Sequence, residues 1–232
     1  MKKNVTFTLM ALFTGSLVAA DSSPKDDVTN AAKKLAEKPN YSWHTTVVVP
    51  EDAPFHPGPT EGKTEKGGFT RVKLSFGDNT TEFVLKGDKS AVTNPDGVWQ
   101  ALSELDSSEG PGRFLGGMIR NFKAPATQAG DIASSTKELK KDGDLYSSDL
   151  TEEGAKNLLR FRRGGDATVS NAKGSAKFWV KEGVLTKYEF KVTGSVSFNG
   201  NDMDVDRTTT IEIKDVGTTK VEVPEEAKKK LS

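Results

Sequence analysis

The chain of 232 residues contains no cysteine. That excludes disulfides, thiolate metal sites, a cysteine nucleophile and a lipid attached through cysteine. Histidine occurs twice, as His44 and His56, so imidazole chemistry has almost no material. Lys+Arg and Asp+Glu balance at 33 each, which leaves no net basic field to hold nucleic acid. Three Trp and three Tyr are few for the aromatic platforms of a carbohydrate-active enzyme. Past the N-terminus no stretch approaches the ~20 apolar residues of a membrane span. The absence of net charge, with 34% hydrophobic residues, argues for a folded chain over a disordered one.

The first residues read as an address. Lys2 and Lys3 form a positive segment, Val5 to Val18 is mostly apolar, and Val18-Ala19-Ala20 puts small residues before Asp21. This is the pattern of a bacterial secretory signal peptide, cleaved near Ala20. Residues 1–20 are therefore expected to be removed, and residues 21–232 to form one periplasmic or secreted domain with no stable membrane insertion.

Ser23-Pro24, then Asp26 and Asp27, open a helix over 24–38 with Val28, Ala31, Ala32 and Leu35 on one side, because a hydroxyl cap, Pro at the first turn and early acids suit a helix start. Tyr41 to Val49, Phe69 to Phe76, Thr81 to Leu85 and Ser90 to Thr93 read as strands separated by Gly-containing turns,. Residues 50–68, rich in Pro, Gly and acids, read as a long exposed loop. Val98 to Leu102 suits either strand or helix. A helix starting at Pro111 carries Phe114, Leu115, Met118, Ile119 and Phe122 on one face. Its neighbours Gly110, Gly112, Gly116 and Gly117 weaken it, so it suits a movable lid as well as a core helix. Thr151 opens another helix running to Arg163 and closed by Gly164-Gly165,. Ala176 to Val180, Val184 to Val192 and Met203 to Ile213 then form hairpins through Lys181-Glu182-Gly183 and Asn199-Gly200,. Val184, Thr186, Tyr188, Phe190 and Val192 are expected to face the core. Lys220 to Val223 reads as a short strand before a helix that ends in Lys228-Lys229-Lys230. Consecutive hairpins and grouped helices make the fold class α+β with an antiparallel sheet.

The chemical motifs fail on spacing. Gly62-Lys63-Thr64 resembles the end of a phosphate loop, but the first glycine position holds Pro57,. Asp202, Asp204 and Asp206 have calcium-loop spacing, yet Arg207 occupies the turn glycine position and Ile213 the closing glutamate position,. In a strand the three acids share one solvent face. Neither histidine has a metal-binding partner spacing, and no G-x-S-x-G elbow is present. The expectation is a protein that is not an enzyme, with no catalytic residue, no metal and no cofactor.

The order of parts resembles the LolA-like superfamily of bacterial periplasmic lipoprotein carriers and lipid-binding proteins. An N-terminal helix leads into Tyr41-Ser42-Trp43. Meandering strands, central helices and further strands follow, through Asp215-Val216-Gly217 to Val223-Pro224-Glu225-Glu226-Ala227. The resemblance implies a curved antiparallel half-barrel whose concave face is covered by helices and receives acyl chains. It implies a carrier for a lipid, acyl chain or other apolar ligand, with Trp43, Phe83, Trp99, Phe114, Met118, Phe122, Trp179, Tyr188, Phe190 and Phe198 as candidate cavity or core residues. The alternative is an extracytoplasmic structural or protein-interaction module without a small ligand.

Overall fold

The structure is a computed structural model that describes residues 22–77, 79–105, 111–160, 168–198 and 201–231. The proposed signal peptide, Asp78, Gly110, Arg162, Arg163, Gly164-Gly165 and Asn199-Gly200 lie outside the described residues, as do the side chains of Phe114 and Phe198.

The N-terminal half is a meander. Helix α1 (Pro24–Glu37) leads into β1 (Asn40–Val48), β2 (Thr60–Glu65), β3 (Thr70–Phe76), β4 (Asn79–Lys86), β5 (Lys89–Thr93) and β6 (Trp99–Ala101). Four helices and two short strands follow: α2 (Leu102–Leu105), α3 (Pro111–Arg120), α4 (Pro125–Ser134), β7 (Lys140–Asp142), β8 (Leu145–Asp149) and α5 (Glu152–Arg160). The long strands β9 (Thr168–Lys181), β10 (Val184–Phe198) and β11 (Asn201–Lys214) precede α6 (Glu225–Lys230).

All eleven described strands belong to one open, curved antiparallel sheet in the order β6-β5-β4-β3-β2-β1-β11-β10-β9-β8-β7. The two meanders meet where β1 pairs with β11, Trp43 opposite Ile213 and Thr45 opposite Ile211. Strand alternation then sorts the side chains. Trp43, Val72, Phe83, Val92, Phe178, Tyr188, Phe190, Val192 and Ile211 join the buried residues of α1, α4 and α5 in one large core. The opposite face carries a cross-strand row in which Lys187, Glu212, His44, Glu61, Lys73 and Glu82 are successive register partners. This mixed charge keeps the outer surface solvated, and His44 Nδ1 sits 3.9 Å from a Glu61 carboxylate oxygen there.

Several expectations need correction. Residues 50–68 are not all loop, since Thr60–Glu65 forms β2 between β1 and β3. Its sequence, Thr-Glu-Gly-Lys-Thr-Glu, lacks the large apolar side chains that mark a half-buried strand,. The Gly62-Lys63-Thr64 fragment therefore lies in a strand, not a phosphate-binding turn. Helix α4 and the β7–β8 hairpin are additions to the elements expected from sequence. Helix α4 buries small residues, Ala126, Ala129 and Ala133, with Ile132 as its large one, so its apolar stripe is faint. Val98 to Leu102 is both alternatives in turn, β6 passing into α2. Lys220 to Val223 joins no ladder. It crosses the outer face as an extended strap, held by Val221 N–H donating to Glu65 Oε1 at 3.0 Å and Arg71 Nη1 donating to the Glu222 carbonyl at 2.8 Å. Simple alternation places Leu185 on the outer face, yet it is fully buried. A register shift between Leu185 and Lys187 restarts the alternation,. The preceding turn matches expectation, with Glu182 at φ 52° and Gly183 at φ 72°, the left-handed pair a tight hairpin requires.

Candidate functional site

The covered face has two halves with different roofs. Over β9 and β10, helices α1 and α5 pack directly on the strands, and α4 packs against α1. Tyr188 is fully buried and stacks on Phe178 at 6.5 Å between ring centroids. Its hydroxyl donates to Gln128 Oε1 of α4 at 2.6 Å, and the Ala126 N–H of the same helix donates to Tyr41 Oη at 3.5 Å. Burial raises the pKa of the Tyr188 phenol well above 10, with the nearby Tyr41 adding to it. Burial also pushes Tyr41 up to about 12, against the opposing pull of the Ala126 N–H. Two phenols held neutral and hydrogen-bonded anchor α4. Helix α1 is tied by Lys25 Nζ to the Thr136 carbonyl at 2.8 Å and by Asp27, which accepts from Tyr146 Oη at 2.9 Å and pairs with Lys141 at 3.2 Å. Hydrogen bonds from Ser22, Tyr146 and Lys141 hold the Asp27 carboxyl below the usual range, the Ser22 bond weighing most.

Over β1–β5 the cover includes α2, which contacts β5, and α3, a ten-residue helix with a glycine pair at Gly116-Gly117. Its closest described backbone neighbour is the short helix α2. It meets the sheet through apolar side chains. Ile119 is buried, while Leu115, Met118 and Phe122 are half-buried against the core. Phe122, just beyond the helix, stacks near Trp43 at 6.1 Å and meets Phe83 edge-on at 5.3 Å. Trp43 in turn leans on Tyr41 at 6.0 Å.

The structure thus brings Trp43, Phe83, Met118 and Phe122 together beneath and within this roof. Tyr188 and Phe190 belong to the other half of the same core. Two candidates lie elsewhere. Trp99 is on the outer face, where α6 sets Ala227 and Leu231 against Val84 and Ala91 in a separate small cluster. Trp179 is also outside, under Lys187 Nζ at 4.8 Å from its ring centroid. Alternation puts Trp179 opposite in facing to the buried Phe178. Neither can line a cavity on the covered face. Tyr41, Val72, Phe178 and Gly62 belong to this surface without being among the residues singled out from sequence. Tyr41 and Phe178 are visible as strand aromatics, but Gly62 gives no signal.

Across β1–β6 and β8–β11 the described strand positions on the covered face carry a single charged side chain, Arg207, placed there by its pairing with Val192. Its Nη2 donates to the Leu158 carbonyl in the last turn of α5 at 3.2 Å, where a cation complements the helix dipole. The remaining groups are hydrocarbon, aromatic and hydroxyl, with the carboxamides of Asn79 and Gln100 towards the sheet's far end, a mainly apolar surface. Among the described residues no group of three or more His, Asp or Glu is placed to hold a metal ion, and no helix is long and apolar enough to cross a membrane.

An open antiparallel sheet with helices over one face is the architecture of a known structural class. The chain is similar to the Mycobacterium tuberculosis lipoprotein LppX, with a TM-score of 0.50, 12% identity, and 88% of this chain and 100% of that chain covered. A likeness to LprF from Mycobacterium bovis has a TM-score of 0.47 at 11% identity, covering 88% of this chain and 97% of that chain. The resemblance to LolA-like carriers drawn from the order of parts holds at the level of fold. No protein-family model and no curated protein sequence matches the chain.

Proposed function

We propose that this protein is an exported, non-enzymatic carrier that takes up the acyl chain of a lipid, or a comparable apolar ligand, between α3 and strands β1–β5. The observation that carries this reading is the unequal roof. Helix α4 is fastened by hydrogen bonds to Tyr188 and Tyr41, and in the described contacts the segment ending the glycine-containing α3 meets the sheet through Phe122, packed on Trp43 and Phe83. The export pattern at residues 1–20 and the shared fold with LppX support it.

The energetics set the kind of ligand. Displacing α3 uncovers Leu115, Met118, Ile119 and Phe122, three of which are already half-exposed. That costs on the order of 4–8 kcal/mol at the usual value of a buried side chain. A chain with a dozen methylenes returns on the order of 10 kcal/mol at ~0.8 per CH₂. A six-methylene chain returns on the order of 5 kcal/mol by the same rule. A long chain therefore offsets the whole cost of opening the roof, whereas a six-methylene chain offsets only the lower part of that range.

Native mass spectrometry after gentle purification is expected to show a co-purified acyl ligand. A brominated hexadecanoic acid should quench Trp43 and leave Trp99 and Trp179 unquenched, with the effect absent from Trp43→Phe. A brominated octanoic acid should not quench. No uptake of the long chain, and no co-purified lipid, would overturn the carrier reading.

A further inference from the structure

Strand β6 stands at one end of the sheet order and pairs with β5, Thr93 opposite Trp99 and Ala91 opposite Ala101. A strand of three residues makes few ladder hydrogen bonds, and such an element is among the first parts of a sheet to open. The chain passes from β6 into α2 with no connecting loop. Helix α2 contacts β5, β6 and α3. Whatever holds β6 and α2 in place therefore also holds the neighbour on which α3 rests.

That hold comes from α6, on the opposite face of the sheet. Ala227 and Leu231 are buried against Val84 and Ala91, with Trp99 packed alongside. Leu102 and Leu105 of α2 belong instead to the core on the covered face. Lys230 Nζ, at the end of α6, joins the two faces by donating to Glu104 Oε1 of α2 at 3.0 Å. Glu104 is the third residue of α2, and its carboxylate also accepts from the N–H of Ala101, the last residue of β6. A glutamate at this position commonly reaches back in that way to the start of its helix. The Lys230 bond first, and the Ala101 bond after it, hold the Glu104 carboxyl below its usual range. One carboxylate thus ties the end of β6, the first turn of α2 and the last turn of α6 together around the rim of the sheet.

We propose that Glu104 is a positioning residue through which α6 governs the opening of α3. While Lys230 holds it, α2 keeps its place on β5 and β6, and Phe122 beyond α3 stays packed on Trp43 and Phe83. When the pair breaks, β6 and α2 shift as one piece and α3 lifts. The pair is made in the empty and the loaded states alike and breaks only in passing, so it sets the rates of loading and release and leaves affinity unchanged. This inference rests on the carrier reading and adds to it a control point on the far face of the sheet.

The test uses the whole chain. Hydrogen-exchange mass spectrometry without ligand compares a peptide over residues 111–122 with one over α4. Glu104→Gln keeps an acceptor for the Ala101 N–H and removes only the charge. It and Lys230→Gln are each expected to speed exchange over 111–122 about two- to fivefold, the size expected for an exposed ion pair, and to leave α4 unchanged. The double variant should match the single ones, because the pair can be lost only once, and Lys230→Arg should exchange like the parent. With brominated hexadecanoic acid, quenching of Trp43 should quicken by the same factor at an unchanged titration midpoint. Unchanged exchange over 111–122 in both single variants would overturn the proposal. So would additive effects in the double variant, or equal acceleration in α4, which signals general loosening. A parent chain that does not load the fatty acid would strike the carrier reading instead, and the exchange rates would still decide whether Glu104 holds α3.

Discussion

The indole of Trp43 lies across the backbone of Gly62. The two residues are register partners in β1 and β2, and a methyl group added at Gly62 would stand 2.0 Å from a Trp43 ring carbon. The flat ring occupies the space a side chain on β2 would need, and in doing so it reaches Phe122 at 6.1 Å. One glycine thereby sets the position of the aromatic group at the centre of the proposed binding surface.

Gly62→Ala is accordingly expected to displace the indole. The cost should be about 1–3 kcal/mol, as for overpacking in a filled core, read as a lowered denaturation midpoint. A red-shifted or quenched Trp43 emission should accompany it, and the stacking on Phe122 should be lost. Unchanged stability and emission in the Gly62→Ala variant would show that the ring is not held there.

The roof over β1–β5 should respond to stiffening. A methyl at Gly117 would have no heavy atom within 4 Å, so Gly117→Ala introduces no clash. It should raise helix stability by up to ~1 kcal/mol. The expected result is a slightly more stable protein that loads a long-chain fatty acid more slowly in stopped-flow measurements. Faster loading would contradict a lid role for α3.

Truncation separates the two faces of the sheet. Phe83→Ala removes a fully buried ring and should cost about 3–5 kcal/mol. Trp99→Ala should weaken the small outer cluster with Val84, Ala91, Ala227 and Leu231 while leaving acyl-ligand affinity unchanged. A clear loss of affinity in Trp99→Ala would mean that the outer face takes part in binding.

Alkaline stability follows from Tyr41 and Tyr188. Burial raises both pKa values, Tyr41 to about 12, above ~10 for an unfolded chain. The fold therefore holds the neutral phenols. Their contribution is complete below pH ~10 and is lost as pH rises through the folded value. For Tyr41 it amounts to roughly 2–3 kcal/mol. Ultraviolet titration should show Tyr41 and Tyr188 ionising together with unfolding. Reversible ionisation near pH 10 in the native state would refute this.

Acid stability has the opposite sign. The Asp27 carboxyl is held low by Ser22 first and also by Tyr146 and Lys141. Its contribution is present above ~3.9, the unfolded value, and disappears as pH falls through the lower folded value. Asp27→Asn should cost about 1–2 kcal/mol at pH 7, the worth of hydrogen bonds to a charged acceptor. It should also flatten the stability profile between pH ~5 and ~2, as followed by urea denaturation.

Particular elements show what could be read in the chain. Helix α1 is legible because Ser23, Pro24, Asp26 and Asp27 mark its start and the buried side, Val28, Ala31, Ala32 and Leu35, recurs at helical spacing. Strands β10 and β11 are legible from alternation over many residues. Strand β2 is not, because polar residues at its edges and Gly62 at its centre hide a burial that depends on Trp43 from the neighbouring strand. Residue type alone assigns Trp99 and Trp179 to the cavity, but which face a strand presents depends on register, and each falls on the outer one.

The sequence by itself determined the α+β class, the antiparallel hairpins, the weak glycine-bearing helix and the absence of thiol and phosphate-loop chemistry. These depend on local propensity, periodicity and residue inventory. Only the tertiary structure decided that β1 closes on β11 and that Phe122, just past α3, packs on Trp43 and Phe83. It also decided that the three aspartates stand on the outer face of β11, two of them paired with Ser195 and Lys191 of β10. Those features arise from strand register and from which face each helix covers, and such long-range pairings leave no mark within any short stretch of chain.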